Sequence, residues 1–277
     1  MESVQSEFYS VYEKSSDWLR LLARSEIRIK LLMILNEENM KLGQLRDYLN
    51  LTSSTILHAM KDMEDEELLE NTDEGYALTN IGKIQALMIS DLIKTITVLT
   101  KNKDFWLTHD ISGIPDYLLK RLGDLGGCDA VSGSKTDILK PHLNFIKILM
   151  EAKEVRGVSP IFYQEYPTII EKLVENNANV ETIVTNEVLS ILKNEGYKSR
   201  LDDIINEKNF RLWVIDEEVK VAFTFTDSVL SLGLFRDDGT YDLTTDLIFD
   251  RKDAIEWSSE LFEFYRNRSK RVKSEDI

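Results

Sequence analysis

The stretch LNLTSSTILHAMKDMEDEELLENTDEGYALT, residues 49–79, decides how the N-terminal part of the chain folds. Ile56, Met60 and Met63 recur at i, i+4 and i+7, the period of a helix that buries one stripe. Ser54, Thr55, His58 and Lys61 fall on another face of the same helix. Leu51-Thr52 reads as the turn before it, and Ser53 or Ser54 as its N-cap. Behind it, Asp73-Glu74-Gly75 can turn a pair of short strands, with Tyr76 and Leu78 alternating with smaller residues in the second.

The same reading extends in both directions. Upstream, residues 18–36, WLRLLARSEIRIKLLMILN, place Ile27, Leu31, Ile34 and Leu35 at helical spacing. Residues 41–49 give a short helix with Leu42, Leu45 and Leu49 on one side. Downstream, Thr79 and Gly82 lead into a long helix with Ile84, Leu87, Met88, Leu92, Ile96 and Leu99 apolar. Helix, turn, helix and hairpin in this order predict a winged helix–turn–helix over residues 1–82. A connecting helix is expected over 83–105, as a dimer seam or as packing for the flanking parts; we favour the seam.

A helix–turn–helix sets the front of its second helix in the DNA major groove. That front offers Ser53, Ser54, Thr55, His58 and Lys61, and its amide ends face phosphate with positive partial charge. Arg46 and Tyr76 complete the expected contact set. Asp62, Glu64, Asp65, Glu66 and Glu67 lie in the rear half, which the docking geometry keeps outside. The difficulty is charge. The chain of 277 residues carries 34 Lys and Arg against 49 Asp and Glu, a net charge of −15. The first 82 residues hold 16 acids against eight Lys and Arg. Such a balance weakens nonspecific binding to a polyanion and makes affinity salt-dependent. Arg20, Arg24, Arg28, Lys30, Lys41 and Arg46 are expected to supply local compensation.

The apolar fraction of 43% fits a folded globule. One cysteine, Cys128, excludes an internal disulfide and suits a reducing cytoplasm. No apolar run reaches the ~20 residues that cross a bilayer, and MESVQSEFYSVYEK lacks the order of a signal peptide. A cytoplasmic protein with no membrane contact is expected.

From residue 106 the texture changes. FWLTHDISGIPDYLLKRLGDL gives a turn and a helix, and GGCDAVSGSKTDILKP reads as a loop-rich piece. Then EVRGVSP, NVETIVT, FRLWVID, VKVAFTFTD and VLSLGLF read as strands, with PTIIEKLVENN and NEVLSILKNEG as helices among them. RKDAIEWSSELFEFYRNRS closes as a helix. This alternation predicts an α/β domain with a mixed sheet over residues 106–268, and so an α+β chain overall. Residues 269–277 read as a charged, frayed tail.

The N-terminal run SEIRIKLLMIL, the two helices after it and GYALTNIGK resemble the winged-helix domain of archaeal transcriptional regulators. WLTHDISGIPDYLL, GVSPIF, LGLFRDDGTYDLTTDLIF and AIEWSSELFEFYR resemble the middle domain of methanogenesis-regulatory (Fil-type) proteins. The likeness spans about residues 20–266. It implies a cytoplasmic archaeal regulator that binds double-stranded operator DNA, acts as a homodimer and carries a domain for an unknown small effector.

Ligands of open α/β sheets favour the crevice beyond the strand carboxyl ends. Ser159, Tyr163, Thr185 and Asn186 are expected there, and Arg211 is a further candidate. Ser159 before a proline and Thr185-Asn186 before a helix also read as simple turn and cap residues. One enzymatic alternative arises. Asn209-x-Arg211-x4-Asp216 has the spacing of the H-x-K-x4-D motif of phospholipase-D-like enzymes, whose fold the flanking strands resemble. Asparagine cannot replace the histidine nucleophile, since its amide nitrogen has no free lone pair. This motif predicts at most an inactive relative kept for binding. An active phosphodiester-processing enzyme whose winged helix is a protein-interaction module is the rival reading. An adaptor using its acidic winged helix on a basic partner is a third. His58, His109 and His142 are scattered, and none pairs with Cys128 at a metal spacing, so no metal site, cofactor or catalytic residue is expected. His109, Trp106, Trp213, Trp257 and Phe262 are expected to be structural.

Overall fold

Ser25 sets the start of the first long helix, because its side chain accepts from the Arg28 amide at 3.3 Å. This computed structural model describes residues 8–13, 15–16, 19–20, 25–126, 129–132, 146 and 149–277. Arg24, Cys128, His142 and most of the stretch read as loop-rich lie outside the described residues. The chain divides into two compact units, Met1–Ile93 and Lys94–Ile277.

The first unit contains α1 (Glu26–Glu37), α2 (Leu42–Leu49) and α3 (Ser53–Asp65), then strands β1 (Leu69–Thr72) and β2 (Gly75–Leu78). Asn50 closes α2 in the left-handed conformation, φ 53° and ψ 45°, which Asn tolerates because its short amide can bond locally. Thr52, not Ser53 or Ser54, caps α3: its hydroxyl accepts from the Thr55 amide at 3.3 Å. The helix begins one residue earlier than the sequence suggests, so both serines lie inside its first turn. Leu31, Leu32, Leu35, Leu45, Ile56, Met60, Met63 and Leu68 form the core of this unit. β1 and β2 pair antiparallel, Leu69 opposite Leu78 and Thr72 opposite Gly75. Met40 joins β2 by two backbone bonds, Met40 N to Tyr76 O at 3.2 Å and Tyr76 N to Met40 O at 2.9 Å. Gly75 has φ +127°, and a Cβ there would lie 2.6 Å from the Met40 carbonyl carbon. Only glycine admits that approach.

Helix α4 runs from Asn80 to Lys101, and α5 from Lys103 to Thr108. The break is Asn102, φ −122° and ψ 44°, so the connecting helix ends short of residue 105.

Among the described residues, the second unit forms a mixed sheet of eight strands in the order β10-β6-β5-β4-β7-β8-β9-β3. Its strands are β3 (Asp129–Ser132), β4 (Glu154–Ser159), β5 (Asn179–Thr185), β6 (Phe210–Ile215), β7 (Val221–Thr226), β8 (Leu230–Leu234), β9 (Thr245–Phe249) and β10 (Lys270–Arg271). β4, β5 and β6 are parallel, and the remaining pairs antiparallel. The helices of this unit include α6 (Asp116–Leu119), α7 (Tyr166–Glu175), α8 (Asn186–Leu192), α9 (Glu195–Ile204) and α10 (Lys252–Arg266).

Alternation along the strands builds two cores. Val158, Ile183, Phe223, Leu232 and Leu247 point to one, with Trp257, Leu261 and Phe262 of α10. Val155, Val180, Val184 and Leu212 point to the other, with Ile169, Leu173, Val188 and Leu201 of α7, α8 and α9. Both faces are covered, as a sheet with a parallel centre requires. Trp257 and Phe262 are fully buried, while Trp106 and Trp213 are half-buried against the first core.

The tail reading is corrected. Lys270 and Arg271 pair with Val214 and Trp213, and Val272 donates to the Leu212 carbonyl at 2.9 Å. Val272 is 4% exposed. One apolar residue among charges is enough to add this segment to the sheet edge.

Candidate functional site

In the first unit the groups of interest sit on α3. Ser54, Thr55, His58 and Lys61 are exposed, and Ser53 is half-buried. They follow one face at i, i+4 and i+7, opposite the buried Ile56, Met60 and Met63. The hydroxyls of Ser54 and Thr55 lie 3.0 and 2.7 Å from the Thr52 hydroxyl, a small network at the helix start. Leu57, 42% exposed, shares this face, and Tyr48 of α2 is 70% exposed. Asp62, in the rear half, is half-buried and bonded to Arg28 of α1.

Part of the expected charge compensation is already paired, Arg28 partly buried and Lys30 and Arg46 at the surface. Arg28 is held by Asp62, Lys30 pairs with Glu26 at 2.5 Å, and Arg46 pairs with Asp47 at 2.8 Å. The wing departs further from the expectation. Tyr76 is half-buried and packed on the core, so its ring is part of the scaffold. The exposed wing carries Glu70 in β1 and Asp73 and Glu74 at its turn, with no base in either strand. A phosphate would be repelled there.

In the second unit the ligand candidates separate into two cavities. A polar crevice lies at the carboxyl ends of β5 and β6, lined by Thr185, Asn186, Asp216, Lys220 and Arg236 among others. Thr185 is buried, and its hydroxyl accepts from the Val188 amide at 3.5 Å, so it caps α8. Asn186 donates to Asp216 at 2.6 Å. Six carboxylates line the crevice, Asp110, Glu187, Asp216, Glu217, Glu218 and Asp237, against two cations. Asp110 is pulled down to about 2 by the Ser112 hydroxyl, the Lys220 ammonium and the Ser112 amide. Lys220, 2.9 Å away, is raised by the same contact. The crevice therefore favours cationic or neutral molecules over anions.

Ser159 and Tyr163 belong elsewhere. They line an apolar cavity between the sheet and α7, α8 and α9. Ser159 donates to the Ile161 carbonyl at 2.8 Å, a turn bond. Arg211 lines neither cavity; it is exposed near the start of β6.

Asn209, Arg211 and Asp216 are not gathered. Asn209 donates to the carbonyls of Val174 and Ala178 at 3.0 and 2.8 Å, tying the α7–β5 connection to β6. Asp216 lies at the far end of that strand, roughly 20 Å away at an extended rise. These three side chains cannot attack one phosphorus together.

His109 is held as the structural residue that the sequence suggests, and the surroundings of Asp246 were missed by the sequence reading. Nδ1 of His109 faces the Phe105 carbonyl at 2.8 Å, and Nε2 faces Asp242 at 3.2 Å; Asp242 also accepts from Arg236 at 2.8 Å. Both ring nitrogens have partners, so the buried ring ties the end of α5 to the β8–β9 loop. On β9, Asp246 is within 3.5 Å of the Tyr241 hydroxyl. Burial pushes Asp246 up to about 6, against the hydrogen bond from Tyr241. Tyr163 is raised by burial and then by the Asp246 charge. Asp242 is far in sequence from His109, and Tyr163 from Asp246, and no local pattern announces those pairings. Among the described residues, no three His, Cys, Asp or Glu side chains are placed to hold a metal ion, and no helix is long and apolar enough to cross a membrane.

Comparison with known proteins places these units in a lineage. Residues 16–97 match the model of the N-terminal domain of methanogenesis regulatory protein FilR1, and residues 138–268 that of its middle domain. The chain is 32% identical over 262 residues to methanogenesis regulatory protein FilR1 of Methanothrix harundinacea (strain 6Ac). That match covers 94% of this chain and 59% of the relative, so the chain spans about three-fifths of the relative's length. Among solved structures, it resembles TrmBL2, described as an archaeal chromatin protein, at TM-score 0.44 and 16% identity, over 84% of this chain and 88% of that one. It resembles Nuc, a phospholipase D family member from Salmonella typhimurium, at TM-score 0.41 and 10% identity, over 53% of this chain and 99% of that one. Structural likeness at this level carries no functional inference, and the strand order stands on its own.

Proposed function

We propose that the chain, which matches the N-terminal and middle domains of methanogenesis regulatory protein FilR1 over residues 16–97 and 138–268, is a DNA-binding transcriptional regulator of an archaeal cell. Its first unit reads a double-stranded operator through α3, and its second unit senses a small effector. The observation that carries the reading is the free face of α3. Ser54, Thr55, His58 and Lys61 are all exposed on it, while Asp62 is neutralised by Arg28. A short polar and cationic face with its acids set behind is what entry into a major groove requires.

The regulator works as a homodimer. Supporting this, α4 exposes Ile84, Met88 and Leu92 by 60, 62 and 58%. Their spacing of four residues makes a continuous apolar stripe, and a second copy of the same helix is the partner whose pattern matches it. Two such units address two half-sites about one helical turn, ~34 Å, apart. Effector binding in the second unit shifts the balance between arrangements with different operator affinity.

A gel-shift titration against the DNA upstream of the protein's own coding sequence, across salt concentrations, tests the reading. A specific complex that weakens steeply with salt is expected. Equal affinity for that DNA and for a scrambled duplex at every salt concentration would overturn it.

A further inference from the structure

Ser54, Leu57 and Lys61 stand at i, i+3 and i+7, one row along the exposed side of α3. Ser54 and Lys61 are polar and exposed, and between them Leu57 is 42% exposed. The Ser54 hydroxyl and the Lys61 ammonium can bond to a phosphate or to a base edge. Leu57 can do neither, so its place in the middle of the row limits what lies opposite.

The rest of α3 sharpens that limit. Its sequence, SSTILHAMKDMED, holds no Arg, Asn or Gln. Those are the side chains that read guanine or adenine by paired hydrogen bonds, with lysine as the alternative for guanine. Ile56, Ala59, Met60 and Met63 are buried, so Leu57 is the one apolar side chain that α3 exposes. In the major groove guanine shows two acceptors, cytosine an amino donor, and adenine an acceptor with an amino donor. Against Leu57 each of those edges would lose water and gain no partner, which costs free energy. Thymine shows a methyl group at C5 beside its O4 acceptor. Methyl against leucine removes apolar surface from water on both sides, which is favourable.

We propose that Leu57 selects thymine in each operator half-site through contact with the 5-methyl group. This rests on the proposed reading of DNA by α3 and adds the base that one of its residues chooses.

Uracil interference on the DNA upstream of the coding sequence tests it. Deoxyuridine pairs as thymidine does and lacks only the methyl. Duplexes with single thymines replaced by deoxyuridine are titrated with the full chain in gel shifts. One thymine in each half-site is expected whose replacement weakens the parent roughly fourfold, the worth of one buried methyl group. Leu57→Ala should bind the thymine duplex more weakly and be indifferent to uracil at that position. Leu57→Met keeps an apolar side chain and should keep the sensitivity. A purely structural role for Leu57 would instead weaken binding to every duplex and leave the uracil penalty as it was.

That last result overturns the proposal, as does a parent that shifts the upstream DNA specifically with no thymine sensitive to uracil. In both cases the regulator stands and the thymine assignment falls. A parent that binds the upstream DNA and a scrambled duplex alike overturns the regulator, and this assignment with it.

Discussion

At the scale of single residues, the first unit works by disposing of charge locally. Lys61 is exposed on the free face of α3, and Asp62 beside it is bonded to Arg28. Lys61→Glu should therefore lower operator affinity by about 1–3 kcal/mol and reduce the slope of affinity against salt by about one ion. Filter binding at several salt concentrations reads both, and an unchanged slope removes Lys61 from the interface. In the second unit Asp246 gives a prediction of opposite electrostatic sense. Its carboxyl titrates near 6 in the folded chain, against 3.8 for the ordinary group. Between those values the folded state keeps a proton that the unfolded chain has lost. The contribution is therefore complete below about pH 4 and fades as pH rises through 6. The ceiling is about 3 kcal/mol for a shift of this size. Asp246→Asn stays neutral, so urea denaturation should show the variant gaining on the parent, by up to that amount, from pH 4 to pH 7. A constant difference across this range would show that Asp246 titrates normally.

At the scale of elements, the wing is the clearest case of a motif whose shape and charge disagree. β1 and β2 form as their sequence requires, but they present Glu70, and at their turn Asp73 and Glu74. Replacing Asp73 by Asn and Glu74 by Gln should raise affinity for any duplex severalfold at low salt and for none at high salt, since the repulsion is screened beyond about 10 Å at 0.1 M. Gel shifts at two ionic strengths decide it, and equal affinity of parent and variant at both would place the tip away from the duplex. Gly75→Ala tests the fold of the same element. Its φ of +127° and the 2.6 Å approach to Met40 forbid a Cβ, so the substitution should lower the thermal midpoint of the first unit by several degrees. These elements were legible because their signals are local: the i, i+4, i+7 stripe of Ile56, Met60 and Met63, the Asp-Glu-Gly turn, the alternation in NVETIVT and VAFTFT. What was not legible is equally physical. Helix α9, EGYKSRLDDI, buries Leu201 and Ile204 but has too few apolar residues to show a period. β10 is two charged residues placed by the buried Val272 next to them. The insertion of β4 between β5 and β7 follows from tertiary packing, and with it the separation of Ser159 and Tyr163 from Thr185 and Asn186. The contact of His109 with Asp242 and that of Asp246 with Tyr163 join partners remote in sequence, so spacing could not reveal them.

At the scale of the whole molecule, a net charge of −15 opposes any polyanion, and eight Lys and Arg in the first 82 residues must face 16 acids. Several of those cations are already paired within the fold, so each unit has few left for phosphate. A single unit is then a weak reader, and useful affinity has to come from linking two of them, which turns the second contact into an intramolecular event worth 10²–10⁴ in avidity. The apolar stripe of α4 is the place where such linkage would form. Met88 and Leu92 are more than half exposed in the isolated chain, so charge there leaves the chain's own core untouched. Met88→Lys combined with Leu92→Lys should therefore yield a folded monomer with an unchanged circular dichroism spectrum and operator affinity lower by about two orders of magnitude. Analytical ultracentrifugation gives the mass and gel shift the affinity. The two added lysines also make the outcome diagnostic: they improve the charge balance for DNA, so a loss of binding cannot be electrostatic. If the variant remained dimeric, or became monomeric and bound DNA as tightly as the parent, α4 would not be the seam that compensates for this chain's acidity.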